Sequence, residues 1–351
     1  MPQAEPQQRV LVYVGGELMG DGLNKLPFLR ALRRAYPDAR ITWFAGSGPT
    51  VYTGKLAPAV SGLIDEIIGT EVGGEAWGNV LRPRLGGRRF DVIIDTKRKL
   101  RATLELKRVP HEVFVSATVN GLFSERRAPG QPWRPVKPAH FLDQLLQLLS
   151  LARFGRVGGP VNPRGGVAVP ERCRRVAAQL LPEGDSVVIA PGAGGAKKKW
   201  PLANFVGLAR AMQSLGYTPI VVLGPNEEGL HDELANALPE ARFPLQEANA
   251  RALADEPFLT MALAQRVSGA VANDSGNAHI LAAAGVPLVV LFGPTSAEKF
   301  TPIGRHIDPI KAQDVDAASI DHIPVQTVAA RLVKLIGATR DRVEEAGDAL
   351  G

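Results

Sequence analysis

Short apolar runs alternate with amphipathic helical patterns from one end of this 351-residue chain to the other, and the alternation breaks once, near the middle. Strands that alternate with helices belong to parallel sheets covered on both faces, because each parallel connection must cross the sheet. A chain of this length exceeds one ordinary α/β core, so two domains are expected. In the first half, Val10 to Val14, Arg40 to Phe44, Phe90 to Asp95 and Val113 to Ser116 read as strands, with a helix around Leu26 to Ala35. The stretch His140 to Arg153 places Leu142, Leu145, Leu146, Leu149 and Ala152 at helical spacing and closes that half.

The break is FGRVGGPVNPRGGVAVP, residues 154 to 170, whose glycines and prolines suit neither a helix nor a strand interior. After a helix near Glu171 to Leu181 the alternation restarts. Strands are expected at Ser186 to Ala190, Thr218 to Leu223, Ala270 to Asn273 and Pro287 to Phe292, with helices at Pro201 to Leu215 and Glu227 to Ala237. The expected division is a first Rossmann-like domain over 1–155, a linker and connecting helix over 156–182, a second domain over 183–324 and a terminal helix over 325–340. That helix carries Val325, Val328, Leu332 and Ile336 on one face. Two doubly wound domains then face each other across a cleft, with ligands beyond the carboxyl ends of the strands.

Composition narrows the function classes. A single cysteine, Cys173, excludes an intrachain disulfide framework. The start MPQAEPQQ has neither the basic end nor the apolar centre of a signal peptide, and runs such as Val286 to Phe292 fall far short of the roughly 20 residues that span a bilayer. A cytoplasmic protein is expected. The net charge is +6, and much of the excess lies between Arg82 and Arg108, including Arg98, Lys99 and Arg101. Such a face favours anionic partners, and without a recognition module or interleaved aromatics nucleic acid is not expected.

Several familiar motifs fail on inspection. The loop Gly192-Ala193-Gly194-Gly195-Ala196-Lys197 has Ala196 where a P-loop needs glycine before its lysine, and Lys198 where it needs Ser or Thr. A dinucleotide fingerprint would need glycine at Lys197. Six scattered histidines offer no metal constellation, so neither metal nor cofactor is expected.

Two loops remain. In AVANDSGNAHILAAAGVPLVVLFGPT, residues 270–295, an apolar strand ends at Asn273-Asp274, the chain turns through Ser275-Gly276, and a helix begins near Asn277. Unpaired N–H groups and about half a positive charge make such a helix start a seat for phosphate. Gly276 lets backbone approach a ligand, and Asp274 can accept bonds from sugar hydroxyls; a helix cap at Asp274 or Ser275 is the plainer alternative. In APGAGGAKKKWPLANF, residues 190–205, another strand leads through glycines to three lysines, which either neutralise a diphosphate or form a solvated loop.

Together these segments resemble glycosyltransferase family 9, the bacterial heptosyltransferases of lipopolysaccharide core assembly. Lys198-Lys199-Trp200-Pro201 resembles the family's Lys-x-Trp-Pro, and Asp274-Ser275-Gly276 followed by His279 resembles its Asp-Ser/Thr-Gly-x-x-His. Gly285-Val286-Pro287, Leu291 to Thr295, Gly224-Pro225-Asn226-Glu227 and, more weakly, Gly20-Asp21 with Pro27 continue the likeness. Gly16-Glu17-Leu18-Met19 stands where the family commonly has small hydroxyl residues, and Ala193-Gly194-Gly195 lacks the Ser or Thr often found near the donor phosphates.

The resemblance implies a GT-B fold with an acceptor-binding first domain, a donor-binding second domain and a final helix returning to the first. It implies an inverting, metal-independent transfer of heptose or a related sugar from an ADP-sugar substrate. The acceptor would be a lipopolysaccharide core or similar anionic glycolipid at the inner face of the cytoplasmic membrane. Asp21 is the expected general base. Lys198 and the N–H groups of Ser275, Gly276 and Asn277 are expected to meet the departing diphosphate. Gly192, Glu227, Asp274 and His279 complete the expected donor set, with Glu228 a rival to Glu227 for the ribose, and Arg98 and Arg101 are the expected acceptor contacts. A non-catalytic nucleotide-sugar binder of envelope assembly and a GT-B sugar-nucleotide epimerase are the alternatives.

Overall fold

The computed structural model describes residues 7–46, 48–69, 85–126, 138–158, 166–181, 184–224, 226–247, 250, 252–253, 257–315 and 319–348, with the backbone alone at 120 and 342–348. Arg82, Pro225 and residues 159–165 of the expected linker lie outside them. The chain divides into two compact units, Met1–Gly165 and Gly166–Gly351, so the division falls inside the Gly/Pro-rich segment. Among the described residues no helix is long and apolar enough to cross a membrane.

The first unit is built on a five-stranded parallel sheet in the order β3-β2-β1-β4-β5. Its strands are β1 (Arg9–Val14), β2 (Arg40–Ala45), β3 (Glu66–Ile68), β4 (Phe90–Asp95) and β5 (His111–Ser116). β1 is central: Val12 pairs with Trp43 on one side and with Ile94 on the other. Its Val10 to Val14 are fully buried, as a run covered on both faces must be. The helix Phe141–Phe154 lies against the helix Met19–Ala35 and β5, and ends at Gly155, whose φ of 68° is open to glycine at little cost.

One expected element begins earlier than its periodicity suggested. The helix expected from Leu26 starts at Met19, which encloses Pro27 and places Asp21 in its first turn rather than in a loop. Gly22 explains the early start. A Cβ there would meet Val51 Cγ2 at 2.5 Å, and the Tyr52 hydroxyl donates to the Gly22 carbonyl at 2.7 Å. Close packing against the segment 51–56 holds the helix's first turn where apolar spacing is absent.

The second unit carries β6 (Ser186–Ala190), β7 (Thr218–Val221), β8 (Gly269–Asn273), β9 (Leu288–Phe292) and β10 (Ile307–Lys311). They form a parallel sheet in the order β10-β9-β8-β6-β7. The helix Leu202–Ser214 buries Phe205, Leu208, Ala209 and Met212 on this sheet, with Pro201 just ahead of it as the N-cap. The helix Pro257–Ala264 is buried at every residue, between the helices Glu171–Leu180 and Gly276–Ala284. An element apolar all round has no periodicity to read, and it was not anticipated.

In the terminal helix, Val325–Asp348, Val328, Leu332 and Ile336 enter the core of the second unit beside Trp200 and Phe205. Gly269 permits this, since a Cβ there would lie 2.8 Å from Ile336 Cγ1. Leu332→Ala should therefore cost about 3 kcal/mol in the unfolding of the second unit. Urea denaturation checks this, and a cost below about 1 kcal/mol would mean that the helix is not part of that core.

Candidate functional site

In each sheet the strand order reverses once, and the loops leaving the carboxyl ends of the strands at that point splay apart to leave room for a ligand. In the second unit the reversal lies between β6 and β8. The loops that leave these strands hold the two sequence segments singled out above, Pro191 to Lys199 and Asn273 to Asn277.

They are tied together by side chains. Asn273, fully buried, accepts from the Trp200 N–H at 3.1 Å through Oδ1 and donates to the Pro191 carbonyl at 2.7 Å through Nδ2. Trp200 in turn donates its indole N–H to the Ile323 carbonyl at 3.0 Å, and its ring meets Phe205 edge-on. With both loops anchored, Lys198 Nζ reaches Asp274 Oδ2 at 2.7 Å, and the Thr295 hydroxyl donates to the same oxygen at 2.6 Å. Asp274 is buried whereas the Lys198 side chain keeps about a third of its exposure, 34%, so the ammonium faces outward from a buried anchor. A lysine ammonium has three donors and Asp274 takes one.

The plainer alternative, a side-chain cap from Asp274 or Ser275, is not what the structure shows. Ser275 is the N-cap of the helix Gly276–Ala284, but no side chain caps that helix. The Ser275 hydroxyl is buried and has no hydrogen-bond partner among the described residues. Asp274 holds a lysine. Gly276 is exposed at the helix start, and Asn277 and His279 follow half-buried on the same helix.

Glu227 joins this group. Its carboxylate is buried against Gly192 and Gly224, where added Cβ atoms would lie 2.7 Å from Cδ and 2.9 Å from Oε2 respectively. A Cβ on Gly224 would also lie 3.9 Å from Asn277 Nδ2. Glu228 is exposed, so of the two acids Glu227 is the one drawn into the loop cluster. The structure thus assembles Gly192, Lys198, Glu227, Asp274, Ser275, Gly276 and Asn277 at one edge of the second sheet. Thr295 and Asn273, which sequence reasoning quoted only as flanking residues, organise them.

In the first unit the reversal lies between β1 and β4. Asp21 sits exposed in the helix turn after β1, beyond an uncapped Leu18. Lys97, half-buried after β4, donates its backbone N–H to Asp95 Oδ1 at 3.0 Å. Burial first, then the nearby Lys25 ammonium, hold Lys97 below the ordinary lysine range, with Asp21 and Glu17 opposing. Burial also pushes the Asp95 carboxyl up, against hydrogen bonds from Thr103 and Ser116. Arg98 and Arg101 are exposed, and Arg101 pairs with Glu105 at 3.3 Å.

One cluster here was missed. Glu17 is buried and accepts from Lys25 Nζ at 2.8 Å, Thr50 Oγ1 at 2.5 Å and Trp43 Nε1 at 3.2 Å. The signal was an acid and a base eight residues apart, flanking Asp21.

The model of glycosyltransferase family 9 (heptosyltransferase) matches residues 80–321. The chain belongs to glycosyltransferase family 9. Over 127 residues it is 35% identical to lipooligosaccharide heptosyltransferase 2 of Haemophilus influenzae, an alignment that covers 35% of this chain and 36% of that relative. The chain thus spans about a third of the length of that curated relative. Among solved structures, a family 9 glycosyltransferase from Veillonella parvula superimposes with a TM-score of 0.68 at 19% identity, covering 95% of this chain and 98% of the other. The ADP-heptose lipopolysaccharide heptosyltransferase II of Escherichia coli does so at 0.64 and 20% identity, covering 95% and 100%. These family 9 structures establish the GT-B fold, with its two parallel-sheet α/β domains.

The Glu17–Lys25 pair gives a stability prediction. Lys25→Ala leaves a buried carboxylate without its counter-charge and should cost about 3 to 5 kcal/mol. The double change Glu17→Gln, Lys25→Met should cost clearly less, as measured by chemical denaturation of both variants; equal costs would mean that the pair contributes packing alone.

Proposed function

We propose that this family 9 member is an inverting, metal-independent glycosyltransferase that moves heptose or a related sugar from an ADP-sugar to a lipopolysaccharide core or similar anionic glycan. The observation that carries the reading is the uncapped start of the helix Gly276–Ala284, with the unpartnered Ser275 hydroxyl and the anchored Lys198 ammonium beside it. A buried hydroxyl without a partner is costly to keep, and a ligand oxygen would satisfy it.

In the proposed reaction the diphosphate sits on that helix start. Negative charge grows on it as the bond from the anomeric carbon to the phosphate oxygen breaks. Lys198 and the N–H groups at Ser275, Gly276 and Asn277 stabilise that charge where it develops, which counts for most when the donors are already fixed. The Asp274 and Thr295 contacts hold Lys198 still before the donor arrives. Glu227, backed by Gly192 and Gly224, takes the ribose hydroxyls.

The acceptor hydroxyl attacks the anomeric carbon from the face opposite the leaving ADP, and its proton passes to the Asp21 carboxylate as the new glycosidic bond forms. The configuration inverts because there is a single displacement. A carboxylate is a much weaker base than an alkoxide, so proton transfer belongs inside the transition state. Arg98 and Arg101, exposed on the first unit, are placed on the acceptor side with Lys97. The work would take place in the cytoplasm, on the membrane face where the glycolipid acceptor is presented.

Release of ADP from ADP-heptose in the presence of a core acceptor tests the reading, and no release with any core acceptor would remove it. Asp21→Asn should abolish turnover while ADP-heptose still raises the melting temperature; retained turnover would exclude Asp21 as base. Ser275→Ala should leave the ligand-free protein at least as stable as the parent, since it removes an unpaired hydroxyl, yet weaken stabilisation by ADP. Unchanged ADP stabilisation would place the diphosphate elsewhere.

A further inference from the structure

Eight large apolar side chains are more than a third exposed among the described residues, and five of them leave one edge of the first sheet. Leu18 follows β1, Leu100 and Leu104 lie on the helix Leu100–Leu106 after β4, and Val119 and Leu122 lie in and after the turn that follows β5. β1, β4 and β5 are neighbours in the sheet, so their following loops emerge side by side. The second and third groups are bolted together, because the buried hydroxyls of Thr103 and Thr118 are hydrogen-bonded at 2.7 Å, and Thr118 also donates to the Lys97 carbonyl.

These are not incidental exposures of mobile side chains. Leu100 and Leu104 are one turn apart and share a helix face, while Ala102, Thr103 and Leu106 take the opposite, buried face. Val119 is 57% exposed with a φ of 47°, a left-handed conformation that a β-branched residue adopts only when its surroundings impose it. The turn that imposes it is held by Thr118 on one side and by the Leu122 N–H on the Val119 carbonyl on the other.

The charge around this patch is predominantly positive. Between residues 97 and 108 there are six basic residues and one acid, Glu105. Arg98, Lys99 and Arg101 are exposed and flank Leu100 directly. Leucines set among lysines and arginines match the boundary of an anionic bilayer, with apolar tips in the acyl region and cations at the headgroups.

We infer that Leu100, Leu104, Val119 and Leu122, ringed by Arg98, Lys99 and Arg101, form a docking surface for an anionic lipid bilayer. The inference rests on the reading of the first unit as the acceptor side. It adds that the unit meets the membrane with the carboxyl edge of β1, β4 and β5, the edge that carries Asp21. A lipid-anchored acceptor would then reach the base without leaving its bilayer.

Co-sedimentation of the full chain with vesicles tests this. The protein should bind phosphatidylcholine vesicles containing phosphatidylglycerol and bind pure phosphatidylcholine vesicles at least about tenfold less, since each cation near an anionic surface contributes about fivefold. Added salt should weaken binding. Leu100→Glu with Leu104→Glu should reduce partitioning at least about tenfold, with ADP stabilisation and turnover on a deacylated, soluble acceptor unchanged. Equal binding by parent and variant, or equal binding to neutral vesicles, would overturn the inference. So would light scattering that shows a dimer dissolved by the same substitutions, because the patch would then be covered by a second copy. Vesicle binding without turnover on any acceptor would overturn the proposed reaction and leave the docking surface standing.

Discussion

The hydrogen bonds of Asn273 set the geometry on which the second unit's chemistry depends. One buried amide accepts from the loop after β6 at Trp200 and donates to the same loop at Pro191, so two segments more than 70 residues apart in sequence are held as one body. Only because that spacing is fixed does Lys198 find Asp274, and only because Asp274 is buried does the pair stay made. A partly exposed ion pair contributes little to stability. Its value here is positional: the pair keeps a cation beside an uncapped helix start, with ammonium donors left over for a ligand.

The two units solve the same problem in two ways. Each has a parallel sheet whose strand order reverses once, and each places its reactive groups beyond the strands at that reversal. The second unit gathers N–H donors and an ammonium, a site for negative charge. The first brings the charges of Asp21, Glu17 and Lys25 to bear on Lys97. The sheet topology fixes where on each unit these groups lie.

Much of this was legible in the sequence for reasons that are local. Four strands of each sheet were read from buried β-branched runs, and the loops after β6 and β8 from glycines and lysines between a strand and a helix. What was missed depends on tertiary contacts. β3 is three residues long and only half-buried, and β10 interrupts its apolar pattern with Asp308 and Pro309. The helix Pro257–Ala264 is apolar on every side, so no stripe marks it. The first turn of the helix Met19–Ala35 contains two glycines and no apolar spacing; its shape comes from Val51 and Tyr52 closing on Gly22. Thr295 could be named from the motif, but its bond to Asp274 could be seen only in the fold.

The least legible feature is the buried pair of Glu17 and Lys25. Glu17 is buried, and a lone carboxylate there would be untenable. Lys25, buried on the next helix, supplies the counter-charge, while Thr50 and Trp43 supply the remaining donors. The acid and the base make sense only as a pair, since either alone would leave an uncompensated buried charge. The pair ties the loop after β1 to the helix that carries Asp21, four residues before Lys25 and therefore one turn away on nearly the same face. In this chain a charged strut does that work, and it also places Lys25 close enough to act on Lys97. The hold on the loop, the setting of Asp21 and the charge acting on Lys97 are thereby linked through one buried ion pair.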